Sequence, residues 1–118
     1  MNKIGILIAD DHSLMRVGLN ALFSHQDDME VVGEACDGLE AVKLAEGLNP
    51  DIVVMDLKMP KLDGADATMQ IHAANRDVKI LIFTTFGTSA APPSIAFLSS
   101  ADVPKVVRIS IFTSRFAA

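Results

Sequence analysis

The sequence predicts an α/β protein built on a parallel sheet. Short apolar segments alternate along residues 3–86 with segments whose apolar residues recur at helical spacing. Strand–helix–strand units of this kind form right-handed crossovers, which make the strands parallel. With 118 residues, the chain is long enough for one domain with one core.

Each predicted element rests on a local pattern. Apolar runs predict four strands, over residues 3–9, 30–36, 51–55 and 79–84. Three helices are predicted between them, the first beginning at Ser13, the second after the Asp37-Gly38 turn, and the third at Asp63 or Gly64 and running to about residue 74. The apolar positions at helical spacing are Leu14, Val17, Ala21 and Leu22 in the first helix, Leu39, Val42, Ala45 and Leu48 in the second, and Ala65, Thr68 and Ile71 in the third.

Residues 87–118 have a different composition. They contain only four charged residues, and Pro92, Pro93 and Pro104 interrupt any helix. Residues 95–98 and 106–113 are apolar enough to form strands, but no amphipathic helix stands out.

Composition and charge exclude several classes of function. A net charge of −5 gives no electrostatic basis for binding nucleic acid. The single cysteine, Cys36, excludes an internal disulfide, and its apolar surroundings predict a buried thiol. No apolar run approaches the roughly 20 residues that span a bilayer, and the first residues do not resemble a secretory signal. We therefore expect a cytoplasmic protein without membrane association.

Polar residues follow three of the predicted strands. Asp10 and Asp11 follow the first, Asp56 follows the third, and Thr84 ends the fourth. Because ligands of parallel sheets bind at the carboxyl ends of the strands, we expect these side chains to converge. Carboxylates so close together would repel one another unless a cation lay among them. An all-oxygen ligand set with retained waters favours Mg²⁺.

A carboxylate beside Mg²⁺ can act as a nucleophile on phosphorus, and a nearby hydroxyl can then bind the phosphoryl oxygens. Each residue also has a structural interpretation, because Asp after a strand often forms a turn or caps a helix. We interpret His12 as a solvated loop residue, and assign no role to His25 or His72.

The chain resembles the response-regulator receiver family, and within it the NarL/LuxR-type subfamily. The segments that carry the resemblance are ILIADDHSLMRVGL, EVVGEACDGLEAVKLA, PDIVVMDLKMPKLDGADAT and VKILIFTTF. They cover residues 3–86. The resemblance implies a flavodoxin-like, doubly wound sheet with strand order 2-1-3-4-5.

The resemblance also implies a role for each site residue. Asp56 would be the phosphoacceptor and would take the phosphoryl group from a sensor histidine kinase. Asp11 would bind Mg²⁺ directly together with Asp56 and the backbone carbonyl of Lys58, and Asp10 would act through water. Thr84 would be the hydroxyl that responds to phosphorylation.

The resemblance ends after Phe86. The family would place a phosphate-pairing Lys near position 106, where this chain has Val106, and Lys105 is the neighbouring alternative. We expect the fourth helix, the fifth strand and the fifth helix to be atypical or missing. Strand four would then be an edge, and a homodimer or an oligomer formed through an edge strand would follow.

These observations leave three functional hypotheses. The first is a single receiver domain over residues 1–118, without a DNA-binding output domain, that is phosphorylated to control transcription. The second is a pseudo-receiver that binds partners without phosphorylation. The third, a Mg²⁺-dependent phosphatase of the haloacid dehalogenase type, requires a second Asp two residues after Asp56, where this chain has Lys58.

Overall fold

The computed structural model describes the backbone of residues 3–86 and 106–112 and the side chains of residues 3–82. These residues form five strands and three helices, and up to residue 86 the elements alternate in the order that the sequence predicts. The elements are β1 (Ile4–Ala9), α1 (Ser13–Ser24), β2 (Met29–Ala35), α2 (Gly38–Leu48), β3 (Ile52–Asp56), α3 (Gly64–Ala74), β4 (Lys79–Phe86) and β5 (Val106–Phe112).

The five strands form one parallel sheet with the order β2-β1-β3-β4-β5, which confirms the predicted flavodoxin-like topology. From β1 the chain goes outward to β2 and then returns across β1 to β3. The strand order therefore reverses between β1 and β3, where Ala9 pairs with Met55. Sheets of this kind bind ligands at such a reversal, beyond the carboxyl ends of the strands.

Strand β5 corrects one expectation from the sequence. It was expected to be atypical or missing, but Val106–Phe112 pairs with β4 from Ile80 to Phe86, so β4 is not an edge strand. The physical reason is composition, because the segment VVRISIF is rich in β-branched residues, which favour strands. Its backbone hydrogen-bonds N–H and C=O groups of β4 that would be unpaired if β4 were an edge strand. The expected positions of the fourth and fifth helices lie outside the described residues.

The sheet is covered on both faces, since successive side chains of a strand point to opposite sides. On one face, Leu7 and Val53 pack with the buried residues of α2 and α3. On the other, Ile6, Ile8 and Val54 pack against side chains of α1. The predicted inward positions of α3 are confirmed, because Ala65, Thr68 and Ile71 are all buried.

Helix α1 forms as predicted, but its apolar stripe does not face the sheet. Leu14 is 82% exposed and Val17 64% exposed. Leu19 and Phe23 pack against the sheet instead. Arg16, Leu19 and Phe23 share one face at helical spacing, and Arg16 makes an ion pair of 3.5 Å with Glu34 of β2. In α2, likewise, Leu39 and Leu48 are exposed. Of the four apolar positions predicted at helical spacing in this helix, only Ala45 is buried.

The loop between β3 and α3 packs closely against the start of α2. Lys61 in this loop has a φ of 69° and makes an ion pair of 3.5 Å with Asp37, the N-cap of α2. A methyl group on Gly38 would overlap the carbonyl oxygen of Leu62, and one on Gly64 would overlap that of Asp56. Both glycines are therefore needed for close approach of backbone to backbone rather than for a turn.

Cys36 is exposed, so the prediction of a buried thiol was wrong. It lies just beyond β2, which ends at Ala35, and its side chain therefore follows the loop and not the alternation of the strand.

Among the described residues, no helix is both long and apolar enough to cross a membrane.

Replacing Gly38 with Ala should destabilise the protein by about 2 kcal/mol, because the new methyl group has to displace the Leu62 carbonyl. Gly47 is the matched control: it lies in the same helix with no atom near its added methyl group, so Gly47→Ala should stabilise by about 0.5–1 kcal/mol. Urea denaturation measures both. Equal effects of the two substitutions would contradict the described packing.

Candidate functional site

The candidate site lies at the carboxyl ends of β1 and β3. Asp10 and Asp11 directly follow the last residue of β1, and Asp56 is the last residue of β3. The two strands are neighbours, so residues that are 45 positions apart in sequence meet at one edge of the sheet. His12 follows the two acids and is the N-cap residue of α1.

The structure brings the three acids predicted from the sequence together around the imidazole of His12. Its Nδ1 atom lies 2.9 Å from Asp10 Oδ1, 3.1 Å from Asp11 Oδ1 and 3.8 Å from Asp56 Oδ2. One ligand atom from each of the four residues lies within 4.8 Å of the others. Asp10 and Asp56 are buried, whereas Asp11 and His12 are exposed.

Backbone contacts and Arg16 hold this cluster in place. The Asp10 amide donates to the Ala35 carbonyl at 3.0 Å, which ties the cluster to the end of β2. Asp10 Oδ1 accepts from the His12 amide at 2.8 Å, which closes a tight turn before α1. The Nη1 of Arg16 donates to the Asp10 carbonyl at 2.6 Å. The backbone of Asp10 is therefore fixed through its amide and its carbonyl, and its carboxylate is fixed through Oδ1.

Negative charge and burial shift the titration of the site. Burial, followed by the neighbouring charges of Asp10 and Asp11, raises the pKa of Asp56 from 3.8 to about 7. The hydrogen bond to Asp10 and the charge of Asp11 raise the pKa of His12 above its usual value. Both shifts favour the protonated form, although burial is the main cause for Asp56 and the hydrogen bond to Asp10 is the main cause for His12.

The residues present fit a hard divalent cation. Buried carboxylates such as Asp10 and Asp56 are costly unless a positive charge compensates them, and their oxygens are the ligands that Mg²⁺ prefers. Water can complete the coordination, because Asp11 and His12 leave the site open to solvent. What the arrangement can do chemically is hold a cation next to a buried carboxylate that can act as a nucleophile.

The other residues predicted for the site lie around this cluster. Thr84 is on β4, one residue beyond Phe83, the backbone partner of Asp56, so its backbone is close to the site; its side chain is outside the described set. Lys58 is an exposed residue of the loop that follows β3, and its amide hydrogen-bonds the Asp56 carboxylate. Lys105 lies outside the described residues.

Sequence reasoning missed the contributions of His12 and Arg16. His12 is indeed solvated, with 70% of its side chain exposed, but its ring nitrogen turns back to the acids. Arg16 was not assigned a role, although its position four residues after His12 places both on one side of the helix start. An arginine one turn into a helix that follows two acids was the available signal.

Comparison with known proteins agrees with this geometry. Residues 6–101 match the family described as the response regulator receiver domain, so the match extends beyond Phe86. The transcriptional regulatory protein LiaR of Bacillus subtilis (strain 168) is 48% identical over 83 residues, which are 70% of this chain and 39% of LiaR. The chain spans about two fifths of the length of the curated relatives that it matches.

Solved structures show the same fold. The response regulator domain of Thermotoga maritima CheB has a TM-score of 0.78 and 33% identity, over 94% of this chain and 78% of that domain. A LuxR-family two-component response regulator from Aurantimonas sp. SI85-9A1 has a TM-score of 0.75 and 32% identity, over 92% of this chain and 74% of that one.

The raised pKa of Asp56 predicts how stability depends on pH when no divalent cation is present. A carboxyl group whose pKa is higher in the folded state binds its proton more tightly there, so its ionisation destabilises the fold as pH rises from 3.8 to about 7. Asp56→Asn removes the ionisable group and with it this loss of stability. The variant should therefore become increasingly more stable than the wild type across that pH range, and the difference should level off above it.

Chemical denaturation at several pH values in the presence of a chelator measures the difference. Asp27→Asn, which changes an exposed carboxylate in the turn before β2, is the control and should give a nearly constant difference. A stability difference for Asp56→Asn that does not change with pH would contradict the buried, crowded position of this carboxylate.

Proposed function

Because the chain belongs to the response regulator receiver family, and to its NarL/LuxR-type branch, we propose that it accepts a phosphoryl group on Asp56 from a sensor histidine kinase in a Mg²⁺-dependent reaction. Receiver domains are phosphoacceptors rather than turnover enzymes, so the protein's task is to position one carboxylate. The observation that carries the proposal is the burial of Asp56 at the end of β3, beside two further acids.

In this proposal, Mg²⁺ would be held by Asp11, Asp56 and the backbone carbonyl of Lys58, and Asp10 would act through water. When bound, Mg²⁺ would supply neutralisation of the negative charge on the carboxylates and on the incoming phosphoryl group. The protein's own residues do the rest. Asp10 is fixed by its backbone contacts, and the packing of Gly64 against the Asp56 carbonyl holds the nucleophile in place.

Two further residues complete the proposed phosphoryl site. Thr84 would donate its hydroxyl to a phosphoryl oxygen, and its backbone position beside Asp56 supports this assignment. Lys105 would pair with the phosphoryl group; it is next to position 106, where the family would place its Lys, and it lies outside the described residues.

The proposed role of the chain in the cell is that of a receiver domain over residues 1–118. Its relatives are transcriptional regulators of greater length, and the chain spans about two fifths of them. We further propose a homodimer or an oligomer formed through an edge strand; within the described sheet, the outer strands are β2 and β5.

The alternative is a pseudo-receiver that binds its partners without phosphorylation. It is suggested by the missing family Lys at position 106. The complete acidic cluster favours the phosphoacceptor instead, because buried Asp10 and Asp56 have a cost in stability that a purely structural module has no reason to keep. Labelling experiments distinguish the two functions.

Incubation with Mg²⁺ and a small acyl-phosphate donor should add one phosphoryl group to the chain, detected by intact mass. Asp56→Asn should abolish the adduct, since it removes the nucleophilic oxygen while it keeps the shape of the side chain. Asp27→Asn should be labelled like the wild type. A folded wild-type protein that gains no mass would contradict the phosphoacceptor function and favour the pseudo-receiver.

Asp11→Ala should weaken Mg²⁺ binding by about tenfold or more and slow labelling at limiting Mg²⁺, because it removes a direct ligand. Asp11 is exposed at the surface of the cluster, so the fold should persist. Labelling rates across a Mg²⁺ titration measure the effect, with Asp27→Ala as the control. Labelling of the Asp11 variant at the wild-type rate without Mg²⁺ would disprove the metal assignment.

A further inference from the structure

The turn after β1, residues 10–12, has to place two consecutive side chains in one site. Consecutive residues of an extended chain point to opposite sides, yet Asp10 and Asp11 each bring a carboxylate oxygen within 4.8 Å of the other. The chain therefore has to leave the extended form between them, and the backbone does bend at Asp11. The direction of this bend, called here the acidic turn, sets where the two carboxylates lie relative to each other.

Arg16 contacts the peptide group at which the acidic turn begins. Its Nη1 donates a charge-assisted hydrogen bond of 2.6 Å to the Asp10 carbonyl, which belongs to the peptide that joins Asp10 to Asp11. The last paired residues of β1 and β2 are Ala9 and Ala35, so this carbonyl lies just beyond the strand pairing. Helix side chains tilt toward the amino terminus of the helix, which brings an arginine at the fourth position of α1 back over the turn.

Glu34 holds the other side of the Arg16 guanidinium. The Nε of Arg16 lies 3.5 Å from Oε1 of Glu34, and Oε2 of Glu34 accepts from Nδ2 of Asn20 at 3.0 Å. The Arg16 side chain is only 20% exposed, and a guanidinium stays charged at every pH at which the protein is folded. Its planar fork therefore joins the acidic turn and α1 to β2.

This contact acts on the direction of a backbone peptide. Ion pairs near the surface contribute little to stability, so the pairing with Glu34 is better explained by what it does to the orientation of the fork. Resting on the proposed Mg²⁺-dependent phosphorylation, we propose that Arg16 is a positioning residue. Held by Glu34, it fixes the acidic turn so that Asp11 lies beside Asp10 in the absence of a ligand, and a preorganised pair of carboxylates loses less freedom on binding.

A positioning role and a purely electrostatic role predict opposite effects on Mg²⁺. If Arg16 acted only through its positive charge, it would repel a dication, and its removal would strengthen Mg²⁺ binding. If Arg16 positions the turn, its removal loosens the carboxylates and weakens Mg²⁺ binding. The sign of the change therefore separates the two roles.

The test is the labelling rate of the full chain by a small acyl-phosphate donor across a Mg²⁺ titration. Arg16→Met removes the guanidinium and keeps the apolar stem, and it should raise the half-saturating Mg²⁺ concentration about tenfold, as removal of groups that orient metal ligands does. The rate at saturating Mg²⁺ should change by less than about threefold, because Asp56 lies on β3 and excess ion offsets the weaker binding.

Two further substitutions sharpen the test. Arg76→Met is the matched control, since it removes the same charge from an exposed position in the turn after α3, and it should leave the titration unchanged. Glu34→Gln should raise the half-saturating Mg²⁺ concentration in the wild type and have no effect in Arg16→Met, because Glu34 acts through Arg16. Urea denaturation verifies that each variant is folded.

A half-saturating Mg²⁺ concentration that is unchanged or lower in folded Arg16→Met would overturn the positioning role. A labelling rate that stays low at saturating Mg²⁺ would also overturn it. Calorimetric titration of the same proteins with Mg²⁺ separates this inference from the proposed function. A wild-type chain that binds Mg²⁺ but is not labelled would contradict the phosphoacceptor function, and the two affinities would still decide the role of Arg16.

Discussion

The crowding of negative charge at the carboxyl ends of β1 and β3 is the constraint on which the rest of the site depends. Two of the three acids, Asp10 and Asp56, are buried, and an oxygen of each lies within 4.8 Å of the other. Coulomb repulsion at such distances is strong, and burial removes the solvent that would weaken it. A bound cation relieves both costs, so metal binding and a reactive Asp56 share one physical cause.

The fold keeps these charges in place through backbone contacts rather than through many side-chain bonds. The switch in strand order between β1 and β3 brings their ends together, and hydrogen bonds fix the turn that carries Asp10. The loop after β3 is held against α2 by the close contact of Gly38 with the Leu62 carbonyl and by the pair of Lys61 with Asp37. Rigid packing around the acids resists the repulsion that would otherwise separate them.

Sequence reasoning predicted the features that depend on local pattern. The strands, the three helices and the meeting of Asp10, Asp11 and Asp56 follow from apolar periodicity and from the geometry of parallel sheets. It failed where contacts between residues far apart in sequence determine the orientation of a side chain or the pairing of a strand. The apolar pattern does not show that Arg16 of α1 faces Glu34, or that the His12 ring returns to the acids after a turn that Asp10 closes. The pairing of β5 with β4 likewise follows from partners far apart in sequence.

The most direct test of this account is the pKa of Asp56, followed by the carbon NMR resonance of its carboxyl group with and without Mg²⁺. Without the ion, the account predicts titration near 7, well above the ordinary value of 3.8. With Mg²⁺, the pKa should fall toward or below that ordinary value, because the cation stabilises the ionised form. Titration near 3.8 in the absence of metal, with no response to Mg²⁺, would contradict the central claim that crowded, buried charge governs this site.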